Sequence, residues 1–151
     1  MPRIERIAEA IWTGSVARGS GTIAGLSSGA FRLTYDEPTR ISDPAGNTSP
    51  EELVAAAHAG CFAMSLAAEL SRLRVQPERL SVQARCVMDE VEGRGHLVVA
   101  SELDVEVTAE GLDDGALDQA VEKADAGCPI SSLIRGSADV SVSARLFASP
   151  A

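Results

Sequence analysis

Polar and apolar positions alternate in three separate stretches of this chain. Leu80, Val82, Ala84, Cys86 and Met88 form the apolar phase of the first, and Val140, Val142, Ala144 and Leu146 that of the last. In the middle one, Leu97, Val99, Leu103, Val105 and Val107 are in phase, with Ser101 standing among them. A period of two is that of a strand with one face buried, and such alternation suits antiparallel sheets with the other face in solvent. Nearer the N-terminus, Ala8 to Thr13 alternates weakly. Phe31, Leu33 and Tyr35 share a face opposite Arg32, Thr34 and Asp36. Glycines at 14, 19, 21, 25 and 29 break this region into short pieces. The stretch from Pro38 to Ser49, with Pro44, Gly46 and Asn47, predicts a loop.

Helical signals follow. Ser49 suits an N-cap, Pro50 the first helical position, and Glu52 the third position of a capping box. The helix should run to about Leu73, ahead of Pro77, a length of about 36 Å at ~1.5 Å per residue. Its middle (Ala55, Ala56, Ala57, Ala59, Gly60, Cys61, Phe62, Ala63, Met64) is apolar nearly all round, which predicts burial on several sides. A small domain rarely surrounds so long a helix by itself, and this points to a partner chain. A second helix is predicted over Asp114 to Ala126, where Leu117, Ala120, Val121 and Ala124 recur at helical spacing. Runs of strand around runs of helix make the fold α+β, a single domain over residues 1–151.

Composition narrows the function. The chain has 151 residues, 45% hydrophobic and 23% charged, with a net charge of -9. That balance excludes sequence-independent nucleic-acid binding, which needs Lys and Arg against phosphates, and disfavours anionic membrane surfaces. The weakly polar run Leu53 to Ala68 reads as too short and too alanine-rich to span a bilayer. No N-terminal stretch has the charge and apolar core of a signal peptide, so a cytoplasmic protein is expected. In a reducing compartment its three cysteines are catalytic or inert rather than structural.

Cys61 lies mid-helix, beyond the influence of its own helix N-terminus. It reads either as an inert buried thiol or, with a cation nearby, as a reactive one. Upstream candidates for that cation are Arg40 and Arg18. Cys128 sits in Ala126-Gly127-Cys128-Pro129. With Pro129 opening a helix, Cys128 becomes an N-cap beside N–H groups that favour a thiolate; the alternative is a small residue filling a tight turn. Cys86 falls on the apolar face of a strand and reads as packing. His58 shares a helix face with Cys61, either as a satisfied core group or as the base of a Cys-His hydrolase. His96, in Gly-Arg-Gly-His, should be exposed. No CxxC, HExxH or other paired metal-ligand spacing is present. Glu51 lies ten residues before Cys61, about 15 Å along the axis. If both serve one site, that site must combine Glu51 of one chain with Cys61 of another.

Pro50-Glu51-Glu52-Leu53, leading through Ala56-Ala57-His58-Ala59 to Cys61-Phe62, resembles the OsmC/Ohr family of osmotically inducible and organic hydroperoxide resistance proteins. So do Lys123 to Pro129 and, near the N-terminus, Trp12-Thr13-Gly14 and Arg18 to Thr22. His58 and the Ala-Gly-Cys-Pro ending are similar to the OsmC branch. The resemblance implies antiparallel sheets around a long central helix in an intertwined homodimer. It implies a thiol peroxidase, without cofactor, that reduces organic hydroperoxides and hydrogen peroxide in stress defence. Cys61 would be the peroxidatic cysteine and Cys128 the resolving one, joined in an intramolecular disulfide that an external dithiol, lipoyl or thioredoxin-type, reduces. Arg40 would stabilise the thiolate, held by Glu51, with Arg18 the rival position. The alternative reading of the same cysteines is a redox sensor that does not turn over.

Overall fold

The computed structural model describes residues 2–148. The chain divides into two compact units, one ending at Leu53 and the other starting at Val54.

The first unit carries an antiparallel meander of β1 (Ala8–Thr13), β2 (Ser20–Gly25) and β3 (Arg32–Tyr35). Strand β2 lies where glycines interrupt the sequence pattern, and packing explains two of them. A Cβ at Gly21 would come within 2.6 Å of both the Ile11 carbonyl oxygen and the Tyr35 ring. The Trp12 and Tyr35 rings, 5.4 Å apart, flank that glycine. A Cβ at Gly25 would strike the Phe31 ring at 2.7 Å.

The expected loop from Pro38 to Ser49 holds a helical turn, α1 (Pro38–Ile41), with Pro38 supplying a preset φ at its start. Side chains organise the rest. Asp36 accepts from the Thr39 backbone N–H at 3.0 Å and from the Asn47 amide at 2.9 Å. The buried Thr39 hydroxyl lies 2.8 Å and 2.9 Å from the carbonyls of Asp36 and Thr48. Arg40, next in sequence to Thr39, is thereby set on an ordered turn.

Helix α2 spans Pro50–Arg72. Ser49 caps it as the sequence predicts, its hydroxyl accepting from the Glu52 N–H at 3.2 Å. The Glu52 carboxylate takes the Thr48 hydroxyl at 2.6 Å, so the acidic half of the capping box is used on the preceding residue. An 18-residue stretch of the 23-residue α2 has a mean hydropathy of 1.5, which is enough by length and composition to cross a membrane. The residues that extend the helix beyond Leu53 to Ala68 include Glu51, Glu52, Glu69 and Arg72, and a core helix passes the same test.

The second unit contains β4 (Arg79–Val91), β5 (Gly95–Thr108), α3 (Asp114–Gly127), α4 (Pro129–Arg135) and β6 (Asp139–Leu146). Strands β4 and β5 form a long antiparallel hairpin with a register shift at Val87/Met88. One pairing departs from the antiparallel expectation: β6 runs parallel to β5. The reason is the connection, which contains both α3 and α4 and is long enough for a crossover that a hairpin turn could not make. The core joins Phe62, Leu66 and Leu70 of α2 to Leu103, Val105 and Val107 of β5 and to Leu117, Ala120 and Ala124 of α3. Each fully buried leucine of this set contributes on the order of 1.5–3 kcal/mol of hydrophobic stabilisation. His58, Phe62, Leu66 and Leu70 recur every four residues, a single buried stripe. Burial on several sides is therefore not met within this chain, and Met64, off the stripe, is 77% exposed.

Candidate active site

Cys61 stands on α2 one residue before the fully buried Phe62 and is half-buried itself. Cys128 is fully buried at the junction of α3 and α4. Its extended backbone (φ -80°, ψ 114°) ends one helix and caps the next, and Pro129 begins α4. The Ser131 backbone N–H donates to the Cys128 sulfur at 3.4 Å, so the cysteine fills the N-cap role that its sequence context predicts. The Cys61 and Cys128 sulfurs lie 3.2 Å apart, both thiols free, with one S–H bridging them.

The two thiols differ in acidity. Burial opposes ionisation of Cys128, but the Ser131 N–H and hydroxyl, the Cys61 thiol and the Ile130 N–H outweigh it and bring its pKa below the ordinary thiol value. Burial pushes Cys61 up; the Ile130 N–H counters it in part, and the neighbouring Cys128 adds to the rise. Within this unit the α4 N-terminus therefore favours negative charge on Cys128, while Cys61 has the greater solvent access.

His58 does not face Cys61 as a general base would. Its Nδ1 lies 2.7 Å from the Ser101 hydroxyl and its Nε2 2.8 Å from the Ser131 hydroxyl, so both ring nitrogens are engaged. The hydrolase arrangement of Cys61 with His58 is thus not formed. Burial lowers the His58 pKa; Asp125 acts against this and Arg135 with it. Asp125 and Arg135 are themselves paired at 2.5 Å. Sequence reading missed Ser101 and Ser131. The signal was available for Ser101, a polar residue in the buried phase of an otherwise apolar strand, which needs a buried partner.

In the first unit, Arg40 and Glu51 form the pair expected of them. Arg40 Nε donates to the two carboxylate oxygens of Glu51 at 3.1 and 3.3 Å, and a terminal nitrogen reaches Oε1 at 2.5 Å. Burial opposes the Glu51 charge, yet the Arg40 guanidinium, with the Glu51 N–H and the Ser49 hydroxyl, outweighs it and holds the carboxyl below the usual carboxylate range. Arg18, the rival, is exposed in the turn between β1 and β2. Cys86 is half-buried on β4, across from Ser101 on β5, and His96 is exposed at the start of β5. Among the described residues no group of three His, Cys, Asp or Glu side chains gathers as metal ligands do.

Fold and thiol pair together define a small α+β protein with two cysteines in contact, one on a long helix and one capping a short one. The profile of the OsmC-like protein family matches residues 43–143. The chain is 34% identical over 132 residues to peroxiredoxin OsmC of Escherichia coli (strain K12), spanning 87% of this chain and 91% of that protein. It is 30% identical over 116 residues to an organic hydroperoxide resistance protein of Xanthomonas axonopodis pv. citri, covering 75% and 78% of the two chains. Among solved structures, an organic hydroperoxide resistance protein OsmC from Legionella pneumophila superposes with a TM-score of 0.74 at 24% identity, over 95% of this chain and 98% of that one. An OsmC-like protein of unknown function from Vibrio cholerae gives 0.78 at 16% identity, over 95% and 100%. The chain belongs to the OsmC family and has its fold.

Proposed function

We propose that this protein is a thiol-dependent hydroperoxide reductase of one domain, residues 1–151, acting in the cytoplasm in stress defence. The observation that carries the reading is the 3.2 Å approach of the Cys61 and Cys128 sulfurs, with Cys128 held by the N–H groups of α4. The names of the relatives in Escherichia coli and Xanthomonas, a peroxiredoxin and an organic hydroperoxide resistance protein, support it.

The chemistry divides by accessibility. The solvent-facing thiolate of Cys61 attacks the distal oxygen of an organic hydroperoxide or of hydrogen peroxide. The O–O bond breaks, the leaving alkoxide or hydroxide takes a proton from solvent and departs as an alcohol or water, and Cys61 becomes a sulfenic acid. Buried Cys128 then attacks that sulfur and expels water, leaving an intramolecular disulfide. An external dithiol, lipoyl or thioredoxin-type, reduces it by exchange. Since burial disfavours the Cys61 thiolate, the reading needs a cation there, and Arg40 held by Glu51 supplies it. The axial separation of Glu51 from Cys61, about 15 Å, supports a homodimer in which the clamp of one protomer serves Cys61 of its partner. The exposed apolar side chains Ile11, Phe31 and Met64 suit such an interface.

One equivalent of tert-butyl hydroperoxide added to reduced protein, followed by intact mass and peptide mapping, tests the proposal. A loss of two hydrogens with a Cys61–Cys128 linkage, followed by turnover on a dithiol, is the expected result. An unchanged thiol count would overturn it, and a disulfide that no dithiol recycles would make the protein a sensor instead.

A further inference from the structure

His58 has no part in the chemistry above, yet it is wholly buried and hydrogen-bonded at both nitrogens. An apolar side chain would fill the same place in the α2 stripe without desolvating an imidazole. The three elements it joins are not arbitrary. Ser101 belongs to β5, His58 to α2, and Ser131 to the first turn of α4, where its backbone N–H already reaches the Cys128 sulfur.

We infer that His58 is a positioning residue for Cys128: acting through Ser131, it turns the Ser131 hydroxyl onto the Cys128 sulfur. Of the two neutral tautomers open to His58, one serves this role. A neutral imidazole has one donor and one acceptor nitrogen. With the proton on Nε2, that N–H donates to Ser131 Oγ, which leaves the Ser131 O–H to donate to the sulfur. Nδ1 then accepts from the Ser101 hydroxyl. In that tautomer three donors would point one way along a buried chain that ends at the thiol, where the Ser131 hydroxyl favours the thiolate, and aligned bonds of this kind strengthen one another. With the opposite tautomer, Ser131 would donate to His58, and its hydroxyl hydrogen would be lost to Cys128.

The charges around the chain agree with a neutral ring. Burial disfavours the imidazolium, Arg135 on α4 adds to this, and Asp125 on α3 opposes it while paired with that same arginine. Around Cys128 stand the Cys61 thiol of α2 and the Ile130 and Ser131 N–H groups of α4, and the Ser131 hydroxyl favours the thiolate alongside them.

The inference rests on the reading of Cys128 as the resolving thiol, and its consequence falls on that step. There the Cys128 sulfur lone pair forms the S–S bond to Cys61. The S–O bond of the sulfenic acid breaks, and its oxygen leaves as water carrying the proton that Cys128 gives up. Every other atom is conserved, and the oxidant is the peroxide already consumed. Stabilising the Cys128 thiolate raises the fraction of protein ready for this attack.

The test isolates Cys128 as the one thiol in a Cys61→Ser/Cys86→Ala protein and follows thiolate absorbance at ~240 nm against pH, the thiolate being the species that ionisation creates. Adding Ser131→Ala or His58→Phe should raise the Cys128 midpoint by about one unit, the loss of roughly one charge-assisted hydrogen bond. His58→Gln, which keeps a donor toward Ser131, should restore much of it. Unchanged midpoints in the folded Ser131→Ala and His58→Phe proteins would overturn the inference. So would a shift with Ser131→Ala alone, since His58 would then be mere packing. Where His58→Phe fails to fold, Ser101→Ala takes its place: it frees Nδ1 to carry the proton, so the midpoint should rise there too, and a fixed midpoint counts against the chain. With both active-site cysteines present, Ser131→Ala should slow disulfide formation about tenfold after peroxide addition, the ionisation change read as a rate. If peroxide leaves the thiols untouched while the midpoints still shift, the peroxidase reading fails and the positioning of Cys128 stands.

Discussion

The guanidinium of Arg40 grips the carboxylate of Glu51 through two of its nitrogens, across a turn that Asp36, Thr39, Asn47 and Thr48 tie together by side-chain hydrogen bonds. A fork of this geometry fixes the plane and direction of the remaining N–H groups, which a lone lysine ammonium would not. Arg40→Lys should therefore behave as a loss of function. We expect kcat/KM for tert-butyl hydroperoxide to fall by about 10²–10³, the scale of removing one oriented donor from a reacting centre. Arg18→Lys should leave it near the parent value. Steady-state kinetics with a saturating dithiol would check both, and equal losses at the two arginines would end the assignment of Arg40.

The carboxylate half of that pair gives a pH signature. Glu51 is held below its ordinary value because Arg40, aided by the Glu51 N–H and the Ser49 hydroxyl, outweighs the cost of burial. A depressed carboxyl stabilises the fold in full above its unfolded pKa of about 4.3 and loses that contribution as pH falls through the lower folded value. Arg40 is 43% exposed, so screening keeps the pair modest, about 0.2–1 kcal/mol. Glu51→Gln should lower the urea midpoint by a constant amount at neutral pH, and the difference should close in acid below about pH 4. A difference that persisted well into acid would mean that the glutamine side chain disturbs packing rather than charge.

The thiol roles separate by trapping. Cys128→Ser should leave Cys61 as a sulfenic acid after peroxide, one oxygen heavier and captured by dimedone. Cys61→Ser should give neither adduct nor disulfide. Either substitution should lower turnover by roughly 100-fold or more, since nucleophile and resolving group act as a unit. A dimedone adduct on Cys128 in the Cys61→Ser protein would reverse the assignment, and the lower acidity of Cys61 makes that comparison a necessary one.

Much of this arrangement was legible from sequence because it rests on local rules. Ser49-Pro50 and Cys128-Pro129 announce helix starts, and both are found where the caps predict. Strands β4, β5 and β6 follow period-two alternation, with every end but the Leu146 end of β6 extended by one to three residues. What escaped was non-local or masked. Strand β2 was hidden by glycines whose purpose is contact with Tyr35 and Phe31, residues of another strand or its flank. Helix α1 is too short for periodicity to show. The parallel return of β6 depends on the crossover and leaves no mark within β6 itself. Contacts of His58 with Ser101 and Ser131, 43 and 73 residues away, are beyond any spacing rule, although a histidine in an apolar helix and a serine in an apolar strand face each pose half of the question.

The capping of α3 offers a stability check with no bearing on chemistry. Asp113 accepts from the Ala116 N–H at 2.8 Å and stands at the positive end of the helix that carries Leu117, Ala120 and Ala124 into the core. Asp113→Ala should cost about 1 kcal/mol in urea unfolding, with no change in the thiol titration. Asp113→Asn should recover most of that, since an amide oxygen also caps.

Met64 and Leu66 sit two residues apart on α2 and should report different things. Leu66 is fully buried in the core stripe, and Leu66→Ala should destabilise the fold by about 2–5 kcal/mol through lost burial and the cavity left behind. Met64 is 77% exposed, so within one chain Met64→Asp would replace a wet apolar side chain by a wet charge at little cost. If two copies pack through this helix, the same aspartate is buried without a partner, and the cost falls on association. Sedimentation should then show a dimer for the parent protein and a shift toward monomer for Met64→Asp. Gln83→Glu, which adds the same charge at an exposed position of β4, controls for the charge itself and should stay dimeric. Turnover should fall with the dimer, because Glu51 of one protomer would no longer reach the site of its partner. A monomeric parent, or a Met64→Asp protein that stays dimeric and active, would remove the shared site and require Cys61 to find its cation elsewhere in its own chain.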